Sequence, residues 1–288
     1  MTNTLEPMKP RPDSPIDLVT LKVIKEVHKA SVHFGFPVLL VGATARIILL
    51  ENVHGLDSGR ATADVDFAFA LDHWDQFNAL KAYLVKHSHC KADTHISQRL
   101  YMKMPGVVND YKVDLIPFGG VEHEPNSIAW PPDKHFVMNV AGYQDALVSS
   151  IPVEVEDGVV INVASIPGIA ILKLFAWADR GREDPKDAID LATLLRMYYE
   201  AGNAERIYTM PSVSIEAINY DPELAGAWLL GNDATLIASA DTRQQIGDML
   251  IEKRKNLMQD IARGIKAKSD ALDYAEQLLD QFTKGFRA

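Results

Sequence analysis

Asp64 and Asp66 stand two residues apart in Ala61-Thr-Ala-Asp-Val-Asp-Phe-Ala-Phe-Ala70, a stretch that reads as a strand. Successive side chains on a strand point to opposite faces, so the two carboxylates share one face while Val65, Phe67 and Phe69 take the other. Like charges this close repel, and partial burial of the strand raises the cost, so the pair makes chemical sense chiefly with cations to neutralise it. Magnesium, with manganese as its substitute, suits hard oxygen ligands and shares its shell with phosphates. Asp114 lies on a second extended stretch, Asp110 to Phe118, with Lys112 and Ile116 on its own face, and could complete a three-carboxylate site. Three carboxylates holding two cations about 4 Å apart support in-line phosphoryl transfer.

Taken alone, Asp-x-Asp also reads as a solvated edge strand. The residues upstream of it carry the argument further. Pro37 to Val41 is a short apolar run, and Gly42-Ala-Thr-Ala begins a helix carrying Ile47, Ile48 and Leu50. Gly42 falls where strand becomes helix, so the N–H groups of Ala43 and Thr44 can face an anion, with the helix dipole behind them. An ordinary turn using Gly42 for backbone freedom is the plainer reading. What favours phosphate chemistry is the order: Gly-Ala-Thr on a turn, Thr62-x-Asp64-x-Asp66 on a strand, Asp114 on a later strand.

Other constellations are weaker. His87, His89, Cys90 and His95 fit no zinc spacing and read better as a polar loop after a helix. No Gly-x-Ser-x-Gly elbow or Gly-x-Gly-x-x-Gly fingerprint is present, which leaves acyl hydrolysis and dinucleotide binding without a foothold. Lys253-Arg-Lys255, Arg263, Lys266 and Lys268 could touch RNA phosphates, but a solvated helix face is the better account of them.

The elements that must position these residues alternate first and then become helical. A helix is expected over Ile16 to Phe34, stopped by Gly35-Phe36-Pro37, and another with Trp74, Phe77, Leu80 and Leu84 on one face. Arg99 to Met104 and Asp110 to Phe118, joined through Pro105-Gly106, suggest an antiparallel pair. A short helix near Gln144 to Ser149 precedes a hairpin of Val153 to Val155 and Val159 to Val163, turning at Asp157-Gly158. From Ile166 the pattern is helical almost throughout: Pro167 to Arg180, Lys186 to Tyr199, Glu223 to Ser239, Gln244 to Arg263 and Lys268 to Phe282. The expected fold class is α+β, a mixed sheet flanked by helices, then a helical C-terminal domain. We place a flexible lead-in at 1–15, a catalytic domain at 16–165 and the helical domain at 166–288.

A chain of 288 residues, 47% hydrophobic, is long enough for two such units. Its net charge of −10 argues against a surface uniformly attractive to nucleic acid or anionic membrane, though a local basic patch is compatible with it. The single cysteine, Cys90, permits no intrachain disulfide, so the cytoplasm is the default location. The N-terminus is polar and proline-rich, unlike a signal peptide. The most apolar segment, Phe36 to Leu50, contains Arg46 and falls short of the about 20 residues a membrane span needs.

The order of parts resembles the DNA polymerase β-like nucleotidyltransferase superfamily, and its surroundings look like the AbiEii/AbiGii toxin-type branch. The resemblance covers the first two hundred residues or so, through Val41-Gly-Ala-Thr-Ala-Arg46, Thr62-Ala-Asp-Val-Asp-Phe67, Val113-Asp-Leu115, and Leu172-Lys-Leu-Phe-Ala176 on to Arg180 and Lys186-Asp-Ala-Ile-Asp-Leu191. It implies that Asp64, Asp66 and Asp114 bind metal, and that Gly42, Ala43, Thr44, Arg46 and Thr62 belong to the nucleotide site. Lys173, Arg180 and Asp190 would belong to a helical motif at the same site, Lys173 with a catalytic part. Lys173 and Arg180 are seven apart, close to one helix face, where two cations could meet phosphates; Asp187 and Asp190 share a face too. Helices joined by salt bridges are the competing account of these four residues. The sequence departs from the superfamily where Ala43 replaces the usual Gly or Ser, which removes one hydroxyl that Thr44 could replace. The resemblance further implies a nucleoside triphosphate donor, an RNA end such as a tRNA acceptor stem as acceptor, growth arrest as outcome and a neutralising antitoxin as partner. A protein or small-molecule hydroxyl is the alternative acceptor, and a catalytically silent nucleotide-binding regulator the alternative class.

Overall fold

The computed structural model describes residues 6–104, 110–209, 216–265 and 269–288. The Pro105-Gly106 turn and Lys266 and Lys268 lie outside them. The first helix, α1 (Leu18–Phe34), starts where the Asp17 carboxylate accepts the N–H groups of Val19 and Thr20, and it buries Val23, Ile24, Val27 and Ala30. The strand β1 (Val38–Val41), buried along its whole length, runs directly into α2 (Gly42–Ile47). That helix continues as a π-helical turn over Ile48–Val53. There Asn52 is buried and donates to the carbonyls of Ser14 and Pro15.

The strand carrying the paired aspartates is β2 (Asp64–Leu71), followed by α3 (Trp74–His87). A short edge strand β3 (Cys90–Ala92), β4 (Arg99–Met102) and β5 (Tyr111–Gly119) complete this half of the sheet. Next come a small separate pair, β6 (Ser127–Ala129) with β7 (Val137–Asn139), then α4 (Tyr143–Val148) and the hairpin β8 (Ile151–Glu156) and β9 (Val159–Val163). The main sheet has seven strands in the order β3-β4-β5-β2-β1-β9-β8. It is mixed: β2 pairs parallel with β5 and β1 parallel with β9, while the other neighbours are antiparallel.

After Ser165, whose hydroxyl caps the next helix, the described elements are helical. They are α5 (Ile166–Arg180), α6 (Lys186–Met197), α7 (Arg206–Thr209), α8 (Pro222–Ile237), α9 (Ala240–Glu252), α10 (Arg254–Ala262) and α11 (Ala271–Phe286), with a 3₁₀ turn at Glu216–Ile218. The expected α+β class with a mixed sheet and a helical C-terminal region is therefore what the chain adopts. α8 and α11 pack so closely that a Cβ on Gly285 would run into the Trp228 carbonyl. Three local expectations are corrected. The expected helix Gln244 to Arg263 is two helices broken at Lys253, which takes φ −107° and ψ 8°. Cys90–Ala92, read as part of a polar loop, pairs with β4 at the sheet edge. The lead-in is tied down from Met8 on: Met8 N–H donates to Pro152 and Glu154 N–H to Met8, because β8 is an edge strand with free backbone groups, and Arg11 N–H donates to Asn52 on the π-helical turn. Among the described residues no helix is long and apolar enough to cross a membrane.

Candidate active site

Strand register puts the site's principal residues in one row. Across β1, β2, β5 and β4, Val41 pairs with Asp66, Asp66 with Asp114, and Asp114 with Arg99. Residues directly opposite one another on adjacent strands project to the same face, so Asp66, Asp114 and Arg99 stand side by side, with Asp64 two residues along β2. Val65, Phe67 and Phe69 are buried on the opposite face, which anchors this orientation: a one-residue slip would bury the carboxylates.

The row continues into the turn at Gly42. This residue has φ +71°, and a Cβ there would run into Oδ2 of Asp66, so both backbone conformation and close approach require glycine. Thr44 is buried and its hydroxyl donates to the Asp64 carbonyl at 3.0 Å, while the Thr62 hydroxyl donates to the Asp64 carboxylate. Both threonine hydroxyls thus brace β2 at Asp64. Val41, at the cap position of α2, contributes no side-chain hydrogen bond to the helix start.

Charge is unevenly compensated. Asp66 is half-buried, and its carboxyl is pushed up to about 7 by burial, then by Asp64 and Asp114, against the pull of Lys173 and Arg180. Asp114, by contrast, has both oxygens on the Arg99 guanidinium, at 2.8 and 2.6 Å, and this pairing raises the arginine's own pKa. Among the described residues no three His, Cys, Asp or Glu side chains converge as a metal site, the aspartate triad included; Asp114 is turned to Arg99 instead. The donor set still suits a hard divalent cation, because Asp64, Asp66 and Asp114 bring carboxylate oxygens to one face of the sheet beside the cavity. Arg99 was not singled out as a site residue in the sequence, since only strand register reveals its place beside Asp114.

A cavity of about 170 Å³ opens beside this row, lined by Gly42, Asp66, Ile116, Tyr143, Lys173 and Arg180 among others. Tyr143, which the sequence did not suggest, is held protonated by burial and by Asp66. Lys173 reaches the cavity wall from α5 but is itself buried, its Nζ 2.9 Å from Asp187 and 2.6 Å from Asp190. Arg180 pairs with Asp187 at 2.7 Å. Asp190 also receives Arg60 through two bonds of 2.8 and 2.9 Å, and Arg46 approaches it at 3.4 Å. Burial opposes the charge on Asp187 and Asp190, yet these cations hold both below the usual carboxylate range. Arg46 is fully buried, donates to the Arg60 carbonyl at 2.9 Å, and has its pKa lowered by that burial. Lys186, four residues before Asp190 on α6, pairs instead with Asp184 at 3.0 Å. Arg46, Lys173 and Asp190 thus form a bridge between α2, α5 and α6, and of these three only Lys173 lines the cavity.

The remaining candidates lie elsewhere. Cys90 is buried in β3 with its thiol pushed up to about 12, chiefly by burial. Lys253 donates to the Ala178 carbonyl at 3.2 Å, Arg254 pairs with Asp280, and Arg263 sits 3.4 Å from Asp260.

A parallel pair of strands presenting neighbouring aspartates beside a glycine turn is an arrangement suited to nucleotidyl transfer. Residues 32–255 match the family model described as "Nucleotidyl transferase AbiEii toxin, Type IV TA system". The chain belongs to this AbiEii family of nucleotidyltransferase toxins and is a nucleotidyltransferase of a type IV toxin–antitoxin system by that membership. No curated protein matches it. Among solved structures it is similar to an antigenic nucleotidyltransferase-like protein from Paracoccidioides brasiliensis, at 16% identity and a TM-score of 0.40, covering 72% of this chain and 95% of that one. It is also similar to the antibiotic-resistance factor ANT(2'')-Ia, at 14% identity and a TM-score of 0.36, covering 77% and 96%. A CCA-adding enzyme in complex with CTP aligns at 12% identity and a TM-score of 0.25, covering 92% and 71%.

Proposed function

We propose that this chain transfers a nucleotidyl group from a nucleoside triphosphate to an acceptor hydroxyl at the 3′ end of an RNA, with Asp64, Asp66 and Asp114 as the ligands of magnesium or manganese. The observation that carries the reading is the register-matched pair Asp66–Asp114, with Asp64 on the same face, at the mouth of a cavity lined by Gly42 and Lys173. The acceptor oxygen would attack the α-phosphorus as the bond to the β-phosphate oxygen breaks and pyrophosphate departs. Asp64, Asp66 and Asp114 would hold the metal, which would lower the pKa of the attacking hydroxyl and stabilise charge on the leaving group. The chain's own residues prepare that chemistry. Thr62 fixes the Asp64 carboxylate, Gly42 lets the backbone approach Asp66, and Lys173 and Arg180 place positive charge on the cavity wall. Ala43, Thr44 and Arg46 would contribute to nucleotide binding through the α2 backbone and its support, since Thr44 and Arg46 side chains are buried. An antitoxin is the partner that family membership brings.

The test is incubation with labelled nucleoside triphosphates, magnesium and total RNA, followed by separation of RNA, protein and small molecules. Label in RNA that is lost on chelation and in Asp66→Asn supports the reading. Label confined to protein or to small molecules moves the acceptor to that class, and none in any fraction leaves a silent nucleotide binder.

A further inference from the structure

Asp114 stands at one register level between two unlike neighbours, Asp66 on β2 and Arg99 on β4. Directly opposed Cβ atoms on adjacent strands lie roughly 5 Å apart, so a short aspartate side chain can be shared with one neighbour or turned to the other. Here it is turned to Arg99, whose fork takes both oxygens at 2.8 and 2.6 Å. The side chains of the pair are only 20% and 11% exposed, so water competes little for either group. A guanidinium held this way covers the oxygens that a small dication needs from the same carboxylate. The charge balance follows suit. With Arg99 in place, one of the three aspartates is neutralised by the chain, and Asp64 and Asp66 remain as the pair that only an external cation can satisfy.

We propose that Arg99 is a positioning residue that competes with a divalent cation for Asp114, so that the carboxylate site has two states. In one, Arg99 holds Asp114 and the cation has Asp64 and Asp66 alone. In the other, Arg99 releases Asp114, which turns to Asp66 and completes the ligand set. The released guanidinium is suited to a phosphate oxygen pair, so an anionic nucleotide entering with its metal would favour the second state. Arg99 thereby links occupancy of the third ligand to arrival of substrate. This inference rests on the reading of Asp64, Asp66 and Asp114 as metal ligands.

The experiment measures manganese binding to the whole chain without nucleotide, by the electron paramagnetic resonance signal of the free ion, beside thermal melting with chelator and with manganese. Arg99→Gln removes the charge, and Arg99→Lys keeps the charge while losing the fork. We expect Arg99→Gln to tighten the weaker class of manganese sites by about tenfold, within the range by which groups around metal ligands change affinity. Arg99→Lys should tighten it less, and neither substitution should matter in an Asp114→Asn background. Manganese should also raise the melting temperature of Arg99→Gln more than that of the unsubstituted chain. Unchanged or weakened binding in Arg99→Gln, while Asp114→Asn still removes a site, overturns the competition and leaves the metal reading standing. Absence of any binding that depends on the three aspartates overturns both. If Arg99→Gln does not fold, Arg99→Lys decides, and binding equal to that of the unsubstituted chain overturns the proposal.

Discussion

Two aspartate pairs lie near the same cavity and are treated in opposite ways. Asp187 and Asp190, one helical turn apart on α6, are buried and surrounded by cations of the chain: Lys173, Arg180, Arg60 and Arg46. On β2, Asp64 receives a hydrogen bond from Thr62 and Asp66 a distant pull from Lys173 and Arg180, but among the described residues neither has a side-chain ion pair. The consequence appears in the acidities: Asp187 and Asp190 are pushed down, Asp66 up. A carboxylate pair whose countercharge is built into the fold holds helices together. One whose countercharge is missing could take it from solution, as we propose for Asp64 and Asp66.

The largest effect that would sharpen this contrast is on turnover. Asp66→Asn should lower nucleotidyl transfer by more than about 10³-fold, as removal of a ligand essential to transition-state charge stabilisation does. Its metal-free melting temperature at neutral pH should stay level or rise, and normal turnover would remove Asp66 from the chemistry. Asp190→Asn should do the reverse to the fold. It strips Lys173, Arg60 and Arg46 of a shared buried partner and should cost about 3–5 kcal/mol of stability, read by denaturant unfolding. A stable Asp190→Asn protein would break the comparison.

Lys173→Ala should fall between the two, because this lysine serves the buried pair and the cavity together. Asp187 keeps Arg180 and Asp190 keeps its arginines, so a loss of about 2 kcal/mol is expected, smaller than for Asp190→Asn. Transfer by the folded fraction should drop about 10²-fold. Unaltered nucleotide affinity and turnover would confine Lys173 to structure.

The smallest effect is a pH dependence. The Asp66 carboxyl keeps its proton to about 7 in the folded chain, whereas it releases it near its ordinary value of 3.8 when unfolded. The folded state binds more protons between these values, so this contribution to stability is full below 3.8 and is lost as pH rises through about 7. Metal-free melts should show that decline, Asp66→Asn should flatten it, and magnesium should stabilise the chain more at pH 8 than at pH 5. An identical slope in the variant would assign the decline to other groups.

Much of this arrangement was legible in the sequence. Alternation in Asp64-Val-Asp-Phe-Ala-Phe located β2 and its polar face, and the apolar run before Gly42 located β1 and the turn. What could not be read was partnership across distance. Nothing in the spacing of Arg99 and Asp114 says that they face each other, because register depends on how β4 and β5 slide before they pair. The helical motif shows the same limit: Lys173 and Asp190 stood out by type, yet Arg60, in a polar loop far away in sequence, completes their cluster. Lys253 was unremarkable as a helix former, so nothing in its type marked the break between α9 and α10.

The register of β2 and β5 also sets when in the life of the chain activity can arise. Asp66 and Asp114 belong to strands separated by α3, β3 and β4, so their adjacency depends on contacts between distant parts of the sequence, which form later than local ones. A chain in which β5 has slipped by one residue places Val113 or Leu115 beside Asp66, and its third carboxylate faces the wrong side. If the three aspartates act as proposed, such a chain is inert however complete its helices are. On the proposed reading, a newly made chain is therefore silent until its sheet has locked into one alignment.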